Sequence, residues 1–217
     1  MAREYIWEVP VRVTHWVNVI TILALSITGL YIGDPFAQGA DEHSMLMGKM
    51  RFIHFLCAYI FIASLIVRVY WWFVGNKYAR LDQFIPVSGE RWKNLIDTAL
   101  FYGFMKKDLP HSPGHTGLAG LTYFFLMILF VFEIMTGFAL YSQSHAGGAI
   151  WTLLGGWMLP VLGQGMIRFL HHIIMWLIIV FVIIHVYISV HNQLIEKNGL
   201  VWSIFNGYKN FQDSHHH

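Results

Sequence analysis

The chain has 217 residues, 56% of them hydrophobic and 12% charged, with a net charge of +2 and a positive mean hydropathy. That balance excludes an ordinary soluble domain and reads as a polytopic membrane protein, and no basic run interleaved with aromatics points to nucleic acid. The single cysteine, Cys57, excludes an intrachain disulfide, cysteine-held iron–sulfur clusters and any Cys-x-x-Cys site within the chain.

In chain order, the first apolar run covers about residues 13–33 and is ended by Gly33, Asp34 and Pro35. It carries no small-x-small cleavage signature, so it is expected to be a retained span and not a signal peptide. A polar loop with Asp41, Glu42 and Lys49 precedes a second span of about 51–74, which closes on the interfacial aromatics Tyr70, Trp71 and Trp72. Residues 75–115 are the longest polar stretch, with an amphipathic turn or two around 90–105 expected on the membrane surface.

The third span is about 118–141 and the fourth about 168–190. Between them, residues 146–167 are apolar but broken by six glycines and Pro160, which argues for a short interfacial helix and against a fifth span. The expected fold is therefore all-α: a four-helix transmembrane bundle forming a single domain over 1–217. The terminal His215, His216 and His217 read as a tag remnant. Four spans put eleven of the fourteen Lys and Arg residues on the side of the two termini, with Lys49, Arg51 and Arg168 opposite. The positive-inside rule then places both termini in the cytoplasm.

The histidines fall into two layers. On a helix, His171 and His185 are fourteen positions apart, so their side chains differ in direction by only about 40° and in height by about 21 Å. They share a face and lie in opposite leaflets. His172 points about 140° away from His185 and is not equivalent to His171. His15 begins the first span on the inner side and His54 begins the second on the outer side, which pairs His15 with His185 and His54 with His171. Two neutral imidazoles on opposite faces of a porphyrin give a six-coordinate iron suited to electron transfer, so the constellation points to two stacked haems. A lone histidine near a helix end is often only an interfacial residue, and that bland reading is given to His43, His111, His145 and His191.

Arg12, Arg51 and Arg168 each precede a candidate ligand by three residues, and Arg68 shares a helix face with His54 at the depth of the inner pair. Haem propionates are natural partners for guanidinium groups; snorkelling to lipid headgroups is the competing role, equally weighted for Arg12 and Arg51. Gly29 and Gly137, each after a threonine, would let a porphyrin plane approach the backbone, and close helix packing explains them as well. Glu133, at bilayer depth in the third span, is expected to be neutral or paired.

The segments YIWEVPVRVTHW, ITGLYIG, MRFIHF, VRVYWWFVGNKYAR, Gly114–His115, MTGFALYS and HHIIMWLIIVFVIIHVYISV, in that order, resemble the b-type cytochrome subunit of membrane-bound nickel–iron hydrogenases over nearly the whole chain. The cytochrome b subunit of respiratory formate dehydrogenases is a more distant likeness. The resemblance implies two haem b groups, with His54 and His171 matching the outer ligands and His15 and His185 the inner ones. It also implies a periplasmic hydrogenase docked through its iron–sulfur small subunit, a bacterial inner-membrane location, and quinone as acceptor near Gly114, His115, Thr116 and Tyr187.

Two positions depart from the family pattern. Gly114-His115-Thr116-Gly117 stands where the family often has Gly-His-Asn-Pro, and Arg168 stands where a histidine often precedes the outer ligand. The rival functions are a cytochrome serving a formate dehydrogenase or sulfur-compound reductase, a membrane anchor without redox activity, and a histidine-lined metal transporter.

Overall fold

The computed structural model describes residues 2–35, 42–110, 112, 114–143, 148 and 152–211. His111, His145 and His215–His217 lie outside the described residues, as do 146–147 and 149–151 of the glycine-rich stretch and the side chain of His43. The described chain forms two compact units, residues 1–120 with 188–217, and residues 121–187.

The first unit is built on a helical hairpin. Strand β1 (Ala2–Tyr5) leads into α1 (Val9–Gly33), where Pro10 supplies a preset φ in the first turn and Asp34 ends the helix in an extended conformation. Helix α2 (Glu42–Val74) packs along α1. Thr14, Thr21 and Thr28 repeat every seven residues on α1 and are all buried. Each hydroxyl donates to the carbonyl four residues back, Pro10, Val17 and Ala24, at 2.7–2.8 Å. A stripe of compact side chains whose polar atoms are satisfied within their own helix lets two helices approach closely in lipid, and Ser64 of α2 reaches the Thr14 carbonyl at 3.3 Å.

The hairpin is tied at its termini-bearing end. The Glu8 carboxylate, just before α1, accepts from the Trp71 indole and from the Asn76 amide, both at 2.8 Å, joining the start of α1 to the end of α2. A short 3₁₀ turn (Leu81–Gln83) and α3 (Gly89–Tyr102) follow. Ser88 caps α3 by accepting from Arg91, and Asn94 accepts from the Gly117 amide at 2.7 Å, seating α3 against the first residues of α4 (Gly117–Ser142). At Gly120 an added Cβ would lie 2.2 Å from the Gln83 carbonyl oxygen, so only glycine permits that approach.

The last elements are α5 (Met158–Glu196), α6 (Leu200–Asn206) and β2 (Tyr208–Phe211). β2 pairs antiparallel with β1, from Ala2 opposite Phe211 to Tyr5 opposite Tyr208. Two hydrogen-bonded strands cannot sit on opposite sides of a bilayer, so β1 and β2 share one side. Among the described residues, four helices are long and apolar enough to cross a membrane: Val9–Gly33, Met45–Val74, Gly117–Ser142 and Met158–Glu196.

In the second unit, a π-helical turn (Thr152–Gly156) presses on α4: a Cβ at Gly155 would fall 2.2 Å from the Met135 carbonyl oxygen and 2.6 Å from the Ala139 nitrogen. Ala139, Met158 and Ile167 form the buried core beside it. Gly163, at φ +75°, interrupts α5, so its helical geometry is broken before the apolar run begins.

Three boundaries differ from the sequence expectation. Glu42 and Lys49 are helical and not in a loop, α1 starts at Val9, and α5 extends at both ends beyond 168–190. Hydropathy finds only the lipid-facing part of a helix, and nothing in lipid physics stops a helix from continuing into water.

Candidate functional site

Within the second unit, α4 and α5 bring together two histidines and two hydroxyls. Nδ1 of His171 lies 2.9 Å from Thr136 Oγ1, and Nδ1 of His185 lies 3.1 Å from the Tyr123 hydroxyl. Thr136 and Tyr123 are thirteen residues apart on α4 and their partners fourteen apart on α5, so the same two helices make both contacts about 20 Å apart along the bundle. Phe181, one turn before His185, stacks on its ring at 5.7 Å with an interplanar angle of 13°. His172 is turned elsewhere: its Nδ1 is 2.8 Å from the Arg168 carbonyl of its own helix. The non-equivalence expected from helix phase is present.

The first unit repeats the arrangement at His54, whose Nδ1 is 2.9 Å from Thr28 Oγ1. His15 lies at the start of α1 beside the threonine stripe, with its ring edge-on to Trp16 at 5.3 Å. Trp16 in turn packs on Phe205 of α6, and Arg12 donates to the Phe205 carbonyl, so the residues flanking His15 are held by the C-terminal segment.

A haem iron takes a neutral imidazole through one ring nitrogen while the other is hydrogen-bonded to an acceptor. Imidazoles engaged through Nδ1 direct Nε2 to a metal, and the donor set suits that demand. At Gly137 an added Cβ would lie 3.4 Å from Cε1 of His171, the carbon between the two ring nitrogens, so the glycine keeps the backbone low beside the imidazole. Glu133, expected to be neutral or paired, sits with Oε1 3.3 Å from Nδ1 of His171. Thr28, Thr136 and Tyr123 were not legible as partners of the histidines; the available signal was hydroxyl residues at matching depth on neighbouring spans.

Among the arginines, Arg51 and Arg168 are exposed. Arg68 is partly buried, donates to the Ala79 carbonyl at 3.4 Å and lies 5.1 Å over the Phe84 ring. At the same end of the first unit, His115 lies between Trp7 at 4.8 Å and Phe84 at 5.4 Å, and Phe84 also meets Trp72 at 5.4 Å. Arg91 holds this loop by donating to the carbonyls of His115 and Gln83. Gly114 rests on the Tyr78 ring and Thr116 accepts from the Ala119 amide at 3.2 Å. Tyr187 is exposed on α5.

Outside the spans, burial and local partners set the electrostatics of Glu4 and Lys209. The Tyr78 hydroxyl and Lys77 both bond Glu4, which holds that carboxyl below the usual range. Lys209 is almost wholly buried, with its ammonium 5.9 Å from the Trp7 ring, and desolvation pushes it down to about 8.

Comparison with known proteins gives the family. The chain is 38% identical over 214 residues to a probable Ni/Fe-hydrogenase B-type cytochrome subunit of Cupriavidus necator, covering 96% of this chain and 88% of that one. It is 38% identical over 215 residues to the protein of that name from Rhizobium leguminosarum bv. viciae (96% and 90%). To a probable Ni/Fe-hydrogenase 1 B-type cytochrome subunit of Escherichia coli K12 it is 34% identical over 215 residues (96% and 92%). The family model for prokaryotic cytochrome b561 matches residues 6–207, and, with four membrane-length helices among its described residues, the chain belongs to that family of integral membrane haem b proteins.

Proposed function

We propose that this chain is the membrane cytochrome b subunit that passes electrons from the iron–sulfur small subunit of a periplasmic nickel–iron hydrogenase to membrane quinone. The observation that carries the reading is the pair of imidazoles on α5, fourteen residues apart, each engaged through Nδ1 by a hydroxyl of α4. Similarity over nearly the full length to subunits named for nickel–iron hydrogenase supports the partner. Two haem b groups, when bound, supply one-electron carriers at two depths of the bilayer.

In this reading His54 and His171 hold the outer haem and His15 and His185 the inner one. Arg12, Arg51, Arg68 and Arg168 compensate propionate charge, and Gly29 and Gly137 leave room for the porphyrin planes. The described part of the glycine-rich stretch, residues 152–167, lies at the outer interface. Both termini face the cytoplasm of a bacterial inner membrane, as the Lys and Arg distribution supports, and quinone is reduced near Gly114, His115, Thr116 and Tyr187. The aromatic walls around His115 favour a flat apolar ring there.

The test is purification from membranes with the partner attached. A nickel-containing subunit should co-purify, and His185→Ala should abolish hydrogen-dependent quinone reduction while hydrogen oxidation with a soluble dye persists. Intact quinone reduction in that variant would make the chain a passive anchor, and a partner without nickel would assign it to another dehydrogenase or reductase.

A further inference from the structure

Thr28 and Thr136 each have a single hydroxyl proton, and in both residues it is committed. Thr28 Oγ1 is 2.7 Å from the Ala24 carbonyl and 3.2 Å from that of Leu25. Thr136 Oγ1 is 2.9 Å from the carbonyls of both Phe132 and Glu133. Those carbonyls only accept, so the hydroxyls donate to them and have only lone pairs left for the imidazoles. At His54 and at His171 the contact at 2.9 Å is therefore Nδ1–H donating to Oγ1. That fixes one tautomer: the proton sits on Nδ1 and the lone pair on Nε2. Both threonines are almost wholly buried, so no water competes for the oxygen.

The two sites are built alike from unrelated parts of the chain. In each, a Thr-Gly pair near the end of one helix meets a histidine on another: Thr28-Gly29 with His54, and Thr136-Gly137 with His171. His185 differs. Its partner is the Tyr123 phenol and not a threonine.

We infer that Thr28 and Thr136 are positioning residues for the outer haem, fixing the tautomer and ring orientation of His54 and His171 and strengthening them as donors to iron through Nδ1–H···Oγ1 hydrogen bonds. The inference rests on the assignment of His54 and His171 as the outer ligands. An acceptor at Nδ1 raises the basicity of a ligating imidazole and stabilises the higher oxidation state of its metal. Loss of that acceptor should therefore raise the reduction potential of the outer haem and leave the inner one unmoved.

The experiment uses the full-length chain in membranes and in detergent, with Thr28→Val, Thr136→Val and the matching serine variants. Valine keeps the shape and cannot accept a hydrogen bond, whereas serine keeps the hydroxyl. Haem per chain is counted by pyridine haemochrome, and redox titration and low-temperature EPR of the ferric state are recorded. The expected result is that each valine variant moves the potential of one haem upward and changes its EPR signature, or loses that haem, while each serine variant matches the parent.

Unchanged potential and EPR in both valine variants with two haems retained would overturn the inference and leave the ligand assignment standing. Equal damage from serine and valine, whether to haem content or to accumulation of the chain, would also overturn it by making the methyl group the determinant. A parent chain without haem would instead remove the proposed function itself.

Discussion

Oε1 of Glu133 lies 3.3 Å from Nδ1 of His171, one helical turn from the Thr136 hydroxyl that meets the same nitrogen. His171 thus has two oxygen neighbours on its Nδ1 side, and Nδ1 of His54 likewise meets a threonine hydroxyl, that of Thr28. The other carboxyl oxygen, Oε2, is buried with no hydrogen-bond partner among the described residues. Replacement of Glu133 by leucine, of similar volume, should keep both haems because Thr136 still holds the ring. It should raise the potential of the haem on His171 by weakening the pull on Nδ1–H. Redox titration of the purified variant checks this; an unchanged potential would mean that the carboxyl is a bystander.

Helix phase separates the two adjacent histidines. Because His172 is turned to its own helix at the Arg168 carbonyl while His171 meets Thr136, His171→Ala should remove one haem and His172→Ala none. The haemochrome absorbance per chain of the two variants decides it, and the reverse pattern would contradict the phasing.

The Glu8 carboxylate accepts two hydrogen bonds that join α1 to the end of α2. Glu8→Leu strands the Trp71 indole N–H and the Asn76 amide, each in a charge-assisted bond of about 1.5–3 kcal/mol. A loss of about 2 kcal/mol or more is expected, read as an earlier midpoint in detergent denaturation, with the haem spectrum of the surviving folded fraction unaltered.

Lys209 links stability to pH. Its ammonium is desolvated in the folded chain, where it titrates at about 8 against 10.5 for an exposed lysine. The unfolded chain therefore binds more protons between about pH 8 and 10.5, and stability rises with pH across that window. Below pH 8 the penalty of the buried charge is fully present, on the order of 3 kcal/mol. Lys209→Met should stabilise the folded chain at pH 7 and flatten the alkaline rise, measured by thermal unfolding at several pH values.

Gly155 packs where no side chain fits: its Cβ would lie 2.2 Å from the Met135 carbonyl oxygen. Gly155→Ala should push the π-helical turn off α4 and cost about 1–3 kcal/mol, again read from denaturation midpoints. An alanine variant as stable as the parent would contradict this packing.

The four membrane-length helices among the described residues were legible because lipid demands long apolar helices and tolerates little else. The phase of His171 against His172 was legible because it follows from helical geometry alone. The β1–β2 pair was not: AREY and YKNF are too short to show alternation, and a pairing across 200 residues leaves no local mark. The sequence of 146–167 reads as a short interfacial helix; the π-helical turn and the break at Gly163 both fall within it, and Gly155 there serves close contact. In the sequence Thr28 and Thr136 stand out only as companions of glycines and not as hydrogen-bond partners, since a sequence gives depth and face but not which hydroxyl meets which ring.

The most direct test of the central claim is the haem content of the purified chain, by pyridine haemochrome against protein determined by amino-acid analysis. Two haem b per chain, falling to one in His171→Ala and in His185→Ala, is the result this account predicts. One haem or none in the parent chain would contradict it.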